Sequence, residues 1–196
     1  MMKSITLGNE NGSRSNFMYS NIDDIRIELC SRNIIIAKDV VLGDQVFLGG
    51  NNKIGETTTI GDRSIIKNNS DISNDVTIGN QVTIGSRVNI RKNVLIYPKA
   101  NIHNGVNIAT NVVVEEASTI GEDVKISKNT LIGKECIISD LVEIEEDVVI
   151  GHNVYLHPQI FIGHSITLDD NSVIFKSIKT KLTFTNIFKL LKLVNR

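Results

Sequence analysis

From Ile36 to Ile174 an aliphatic residue returns at every sixth position, through Leu42, Ile60, Ile78, Ile96, Val114, Ile132, Ile150 and Leu168 among others. The series runs for twenty-four hexads, and every member is Ile, Leu or Val. Four places after it comes a second small or branched residue, such as Val40, Ser64, Val82, Val94, Cys136 or Val154. The place directly after it often holds glycine, as at Gly43, Gly61, Gly79, Gly121 and Gly151. A period of six is neither the 3.6 of a helix nor the 2 of a plain strand, so each hexad must join a short strand to a turn. Side chains alternate along the strand, which points the aliphatic residue inward between two outward neighbours. Corners rich in Asn, Asp and Gly then bend the chain. Three strands close a triangular coil of 18 residues, and the 144 residues from Ile36 to Lys179 make eight coils. At the usual strand spacing of about 4.8 Å, this predicts an all-β prism roughly 38 Å long. Its stability is close to a sum over coil interfaces, so its ends need covering.

Composition fits such a stack. Of 196 residues 41% are hydrophobic, but only 5% are aromatic and Trp is absent, so the core is aliphatic. The net charge of −1 gives no basic domain of the kind that binds nucleic acid. Two cysteines, Cys30 and Cys136, cannot form a disulfide framework. No run of about 18 apolar residues is present to span a membrane, and the first residues lack an apolar signal segment. The expectation is a cytoplasmic protein.

Three segments follow. Residues 1–35 read as an N-terminal cap, with a polar stretch from Gly8 to Asn16 and an alternating run, Ile25 to Leu29, that predicts a strand. Residues 36–179 are the prism. Residues 180–196 place Ile187, Leu190, Leu191 and Val194 on one side at helical spacing, with Lys189, Lys192 and Arg196 free for water, which predicts a short amphipathic helix.

The pattern I-G-x-x-V-x, seen in Ile78-Gly79-Asn80-Gln81-Val82-Thr83 and again from Ile84 to Asn89, resembles the hexapeptide-repeat acyltransferases. The resemblance implies a left-handed parallel β-helix, a homotrimer, and transfer of an acyl group from a thioester, usually acetyl-CoA, to a sugar-type hydroxyl or amine between two subunits. Sorting the residue before each inward aliphatic by face gives the same assembly from the residues alone. One face reads Ile35, Lys53, Asp71, Asn89, Asn107, Lys125, Glu143, Phe161 and is polar through its middle. The second reads Val41, Thr59, Thr77, Leu95, Val113, Leu131, Val149, Thr167, and the third Phe47, Ile65, Thr83, Asn101, Thr119, Ile137, Tyr155, Val173. Two adjacent apolar faces call for a partner on each. A heterologous contact between the second and third faces closes after three copies.

In such enzymes the general base is usually His, and the chain has four: His103, His152, His157 and His164. His152 falls at the corner joining the second face to the third, and His157 points outward from the third-face strand one hexad later, so these two are the catalytic candidates. His103 shares the register of His157 three coils away, about 14 Å along the axis. His164 lies at a corner of the polar face. The segment Ile150 to His157 also resembles the metal-binding segment of γ-class carbonic anhydrases, but the place of a third ligand, one coil below His157, holds Ser139, so no metal site is expected. Asn171 to Ile178 resembles the closing segment of sugar and xenobiotic acetyltransferases. That resemblance puts Lys176 near the CoA path, and Lys176, Lys179 and Lys181 form a cluster suited to CoA phosphates, although the place where galactoside-type enzymes put their His holds Gln159. Cys136 sits at an inward corner and reads as a core residue. A non-catalytic scaffold is the alternative reading, favoured by hexads that no extended loop interrupts.

Overall fold

The computed structural model describes residues 2–8 and 12–179. From Ile35 onward the chain forms twenty-four short strands, beginning at Ile35–Ile36 and ending at Val173–Ile174, in eight coils. Strands three apart in sequence pair in parallel and in exact 18-residue register, as in Thr77↔Leu95 and Ile78↔Ile96. This yields the three faces the hexads predict. The polar-face and second-face sheets have eight strands each, and the third-face sheet has ten.

The hexad aliphatics meet at the centre. Ile60, Ile66, Ile84, Ile102, Ile120, Ile138 and Leu156 are fully buried, whereas Ile36 and Ile174 in the terminal coils are only partly so. Inward polar residues are satisfied across coils: the Ser64 hydroxyl donates to the Gly79 carbonyl at 2.8 Å and accepts from the Val82 N–H at 3.2 Å. Cys136 belongs to this set. Its thiol donates to the Gly151 carbonyl at 3.0 Å, and burial pushes its pKa up, which suits a core side chain and not a nucleophile.

The corners demand a backbone that L-residues disfavour. Every sixth residue from Asn33 to Asn171 has positive φ, and among the described residues only Gly105 of these is glycine. Each such turn costs about 1–2 kcal/mol, offset by coil-to-coil bonds such as Gln81 N–H to Asp62 C=O at 2.8 Å. Asn side chains add ladders here, with Asn93 donating to Asn111, Asn111 to Asn129, and Asn129 to Asp147. Truncation inside this stack should be severe. Ile84 stacks between Ile66 and Ile102, and Ile84→Ala should cost about 2–5 kcal/mol in urea unfolding.

The N-terminal segment departs from expectation at one point. A hairpin of β1 (Lys3–Gly8) and β2 (Arg14–Tyr19) extends the third-face sheet, with Ile5 and Leu7 aligned in parallel on Val46 and Leu48. The run Ile25 to Leu29, expected as a strand, is helical: a 3-10 turn (Ile22–Ile25) leads into α1 (Arg26–Ser31). Asn21 starts the turn with a capping box, its side chain accepting from Asp23 N–H while the Asp24 carboxylate accepts from Asn21 N–H. Spacing by four then buries Ile25 and Leu29 on one side and leaves Ile27 81% exposed, which an alternating strand would not do. The predicted C-terminal helix and Lys181 lie outside the described residues.

Candidate functional site

The corner between the second and third faces follows one local rule. Where it is Asp or Asn, the residue two places after the second-face aliphatic turns its side chain onto the strand or coil before it: Asp62 accepts from the Asp44 N–H at 2.8 Å, and Asn80 from the Asp62 N–H at 2.9 Å. Glycine precedes these acceptors because there is no room for more. A Cβ on Gly61 would lie 2.4 Å from the Asn80 Oδ1.

His152 occupies this acceptor slot in the seventh coil. The Lys134 N–H donates to its Nδ1 at 3.0 Å, and its own N–H donates to Asp170 at 2.7 Å. A backbone N–H can only donate, so Nδ1 is the acceptor, and the proton of the neutral ring sits on Nε2. A half-exposed histidine is thereby locked with an N–H pointing away from its corner.

Glu115 joins it from two coils below. Glu115, Gly133 and Gly151 stack in register, and the missing side chain at Gly133 lets the carboxylate pass up to the ring, with Oε2 3.4 Å from Nδ1. That oxygen is shielded from solvent and has no hydrogen-bond donor, and it forms an ion pair only with the ring protonated. The signal for Glu115 in the sequence is a glutamate in a column otherwise rich in glycine, beneath two glycines and next to a histidine.

His157 lies at the far edge of the third face. Among the described residues no hydrogen bond or ring contact joins it to His152 within the chain. Its ring meets Tyr155 edge-on at 5.9 Å and Phe175 at 5.5 Å, and neither of its ring nitrogens has a hydrogen-bond partner among the described residues. His103 is committed to Asn101 through Nε2 at 3.0 Å, and His164 is exposed beside Ser165.

Lys176 follows Phe175 at the last corner. Beyond it the chain folds back on the polar face, where Ile178 pairs with Ile162 and the Lys179 carbonyl would crowd a Cβ on Gly163 at 2.3 Å. Ser139 is indeed one coil below His157, because Ile138 pairs with Leu156. No three of His, Cys, Asp and Glu converge as metal ligands among the described residues.

Because the bond between Lys134 and His152 only completes a corner, it makes a test. His152→Asn should leave stability within about 1 kcal/mol of wild type, since Asn makes the same bond at position 80. His152→Val, with no acceptor, should lose about 1 kcal/mol more in urea unfolding.

The chain has 21% identity to the UDP-N-acetylglucosamine acyltransferase of Francisella novicida, with a TM-score of 0.70, over 74% of this chain and 60% of that one. It has 18% identity to LpxA from Acinetobacter baumannii, with a TM-score of 0.72, over 74% and 64%. The fold is therefore a left-handed parallel β-helix, and the chain spans about three fifths of the length of these relatives. No curated protein matches the chain. The pattern described as "Bacterial transferase hexapeptide (six repeats)" matches residues 57–92, and "Hexapeptide repeat of succinyl-transferase" matches 39–73 and 123–158. The chain carries hexapeptide repeats matched by these patterns over residues 39–92 and 123–158.

Proposed function

We propose that the protein is a homotrimeric acyltransferase that moves an acyl group from a thioester, acetyl-CoA in the first instance, to a sugar-type hydroxyl or amine between subunits. The observation that carries this reading is the pair of outward histidines in different states: His152, locked with Nε2–H exposed, and His157, with both ring nitrogens uncommitted. The structural likeness to acyltransferases supports it. A contact of the third face with a neighbour's second face brings His157 of one copy to His152 of the next. His157 then takes the proton from the attacking acceptor as the new bond to the carbonyl carbon forms. His152 donates its Nε2–H to the oxyanion. Collapse breaks the carbon–sulfur bond, and the proton passes from His157 to the departing sulfur.

Lys176 and Lys179, with Lys181 beyond the described residues, supply positive charge for the CoA phosphates at the same end of the prism. No helix among the described residues is long and apolar enough to cross a membrane, and both cysteines are unpaired, which suits a reducing, cytoplasmic setting. Calorimetry with acetyl-CoA tests the reading. Saturable binding with one site per subunit is expected; no detectable heat from the intact trimer would leave the scaffold reading in its place.

A further inference from the structure

A second concave site lies at the opposite end of the prism, where the N-terminal hairpin meets the first coils. It encloses about 480 Å³, within the range of small-molecule pockets. Phe47 and Ile65 of the third face line it together with Arg14 of β2, Arg63 from a corner and Lys67 after the next strand. The pieces are fitted to one another. The Phe47 ring lies so close to the hairpin that a Cβ on Gly8 would be 2.8 Å from it, and the Arg14 guanidinium sits over the ring at 4.9 Å from its centre.

The charge is one-sided. Three cations from three separate elements line this pocket and, among the described residues, no Asp or Glu does, in a chain whose net charge is −1. Among the described residues none of the three forms an ion pair. Asp44, the carboxylate whose charge reaches Arg63, is committed to Ser4, accepting from its N–H at 2.7 Å and its hydroxyl at 2.9 Å. A groove on the polar face makes the contrast: there two carboxylates, Asp71 and Asp75, stand among Lys53, Arg91 and Lys92. Uncompensated cations around an apolar floor repel one another, and a concave wall focuses their field on an anion.

We propose that this pocket binds the phosphate group of a small phosphorylated molecule, with Arg63, Lys67 and Arg14 on the phosphoryl oxygens and Phe47 and Ile65 against the rest of the ligand. Guanidinium and ammonium donors match phosphate. Phe47 and Ile65 are third-face residues, so in the proposed trimer a neighbour's second face would adjoin the pocket, while its three cations all come from this chain. Arg63 and Asn153 share a corner column five coils apart, about 24 Å. The pocket is therefore separate from the histidine site, and its test does not depend on the transferase reading.

The corner column itself supplies substitutions that spare the fold. Gln45 and Gln81 hold the position of Arg63 in neighbouring coils with φ of 57° and 59°, and Ser139 holds that of Lys67 four coils on. Calorimetry with inorganic diphosphate and with ADP, at ionic strength matched with potassium chloride, should show saturable binding. The double variant Arg63→Gln, Lys67→Ser should weaken it at least about tenfold, while Lys92→Ser in the polar-face groove leaves it unchanged. Tighter binding of ADP shows the apolar floor in use, and equal binding shows recognition of phosphate alone; both support the proposal. Absence of binding below millimolar concentration, or equal binding by the double variant, overturns it.

Discussion

Replacing His157 with alanine should lower acyl transfer by about 10²- to 10⁴-fold, the usual contribution of a positioned general base, while the trimer stays intact. The expectation follows from where the side chain stands. His157 points out of the third face, its ring meets Tyr155 and Phe175, and among the described residues its side chain makes no hydrogen bond, so its removal leaves the backbone ladder in place. Serine occupies the same register one coil below, at Ser139, without disturbing the stack. The loss should therefore fall on the turnover number, with the binding of acetyl-CoA unchanged. The companion variant His152→Asn keeps its corner hydrogen bond and loses only the Nε2–H donor, so it should cost about 10²- to 10³-fold, as removal of an oxyanion donor does. A His157→Ala enzyme with wild-type turnover would remove this residue from the chemistry and shift the assignment of the base to another group.

The histidines show where a sequence of this kind is readable and where it is not. The inward positions follow from a period of six, and the structure buries Ile60, Ile84 and Leu156 as the hexads require. The three outward faces follow as well, since the 18-residue register is exact. The role of His152 was within reach by the same logic: it sits two places after Ile150, the slot held by Asp62 and Asn80, and a histidine there inherits their bond to the coil before it. Glu115 was harder, because its reach to His152 depends on the empty space at Gly133 and Gly151, a relation among three coils. The N-terminal segment lacks the repeat, and there the reading failed in a specific way. Ile25, Ile27 and Leu29 alternate like a strand, but Asn21 and Asp24 form a capping box that starts a helical turn, and the local cap outweighs the alternation. The basic pocket was equally out of reach, since Arg14 meets Arg63 and Lys67 only once β1 has paired with Val46–Leu48.

The assembly is open to the sharpest test. Leu131→Glu should convert a trimer to monomers, read as a threefold fall in mass by light scattering, with acyl transfer lost in step. Leu131 lies in the middle of the second face between Val113 and Val149, and the facing stretch of the third face carries Ile137, Tyr155 and Val173. In the single chain Val149 is 39% exposed, Ile137 49% and Val173 50%, more than a folded interior would leave to water, and they line up along adjacent faces. A carboxylate at position 131 would be buried in each of three equivalent contacts with no cation on the facing stretch, a penalty of several kcal/mol per contact. The coil itself should survive. Glu143 and Lys125 stand at the corresponding outward positions of the polar face, each before a buried isoleucine, and pair there in water at 2.6 Å. Monomers with native circular dichroism and no transferase activity are thus the expected outcome, because in the proposed trimer each active site would take His157 from one copy and His152 from its neighbour. An unchanged trimer would place the contact on other faces, and active monomers would place the site within one chain.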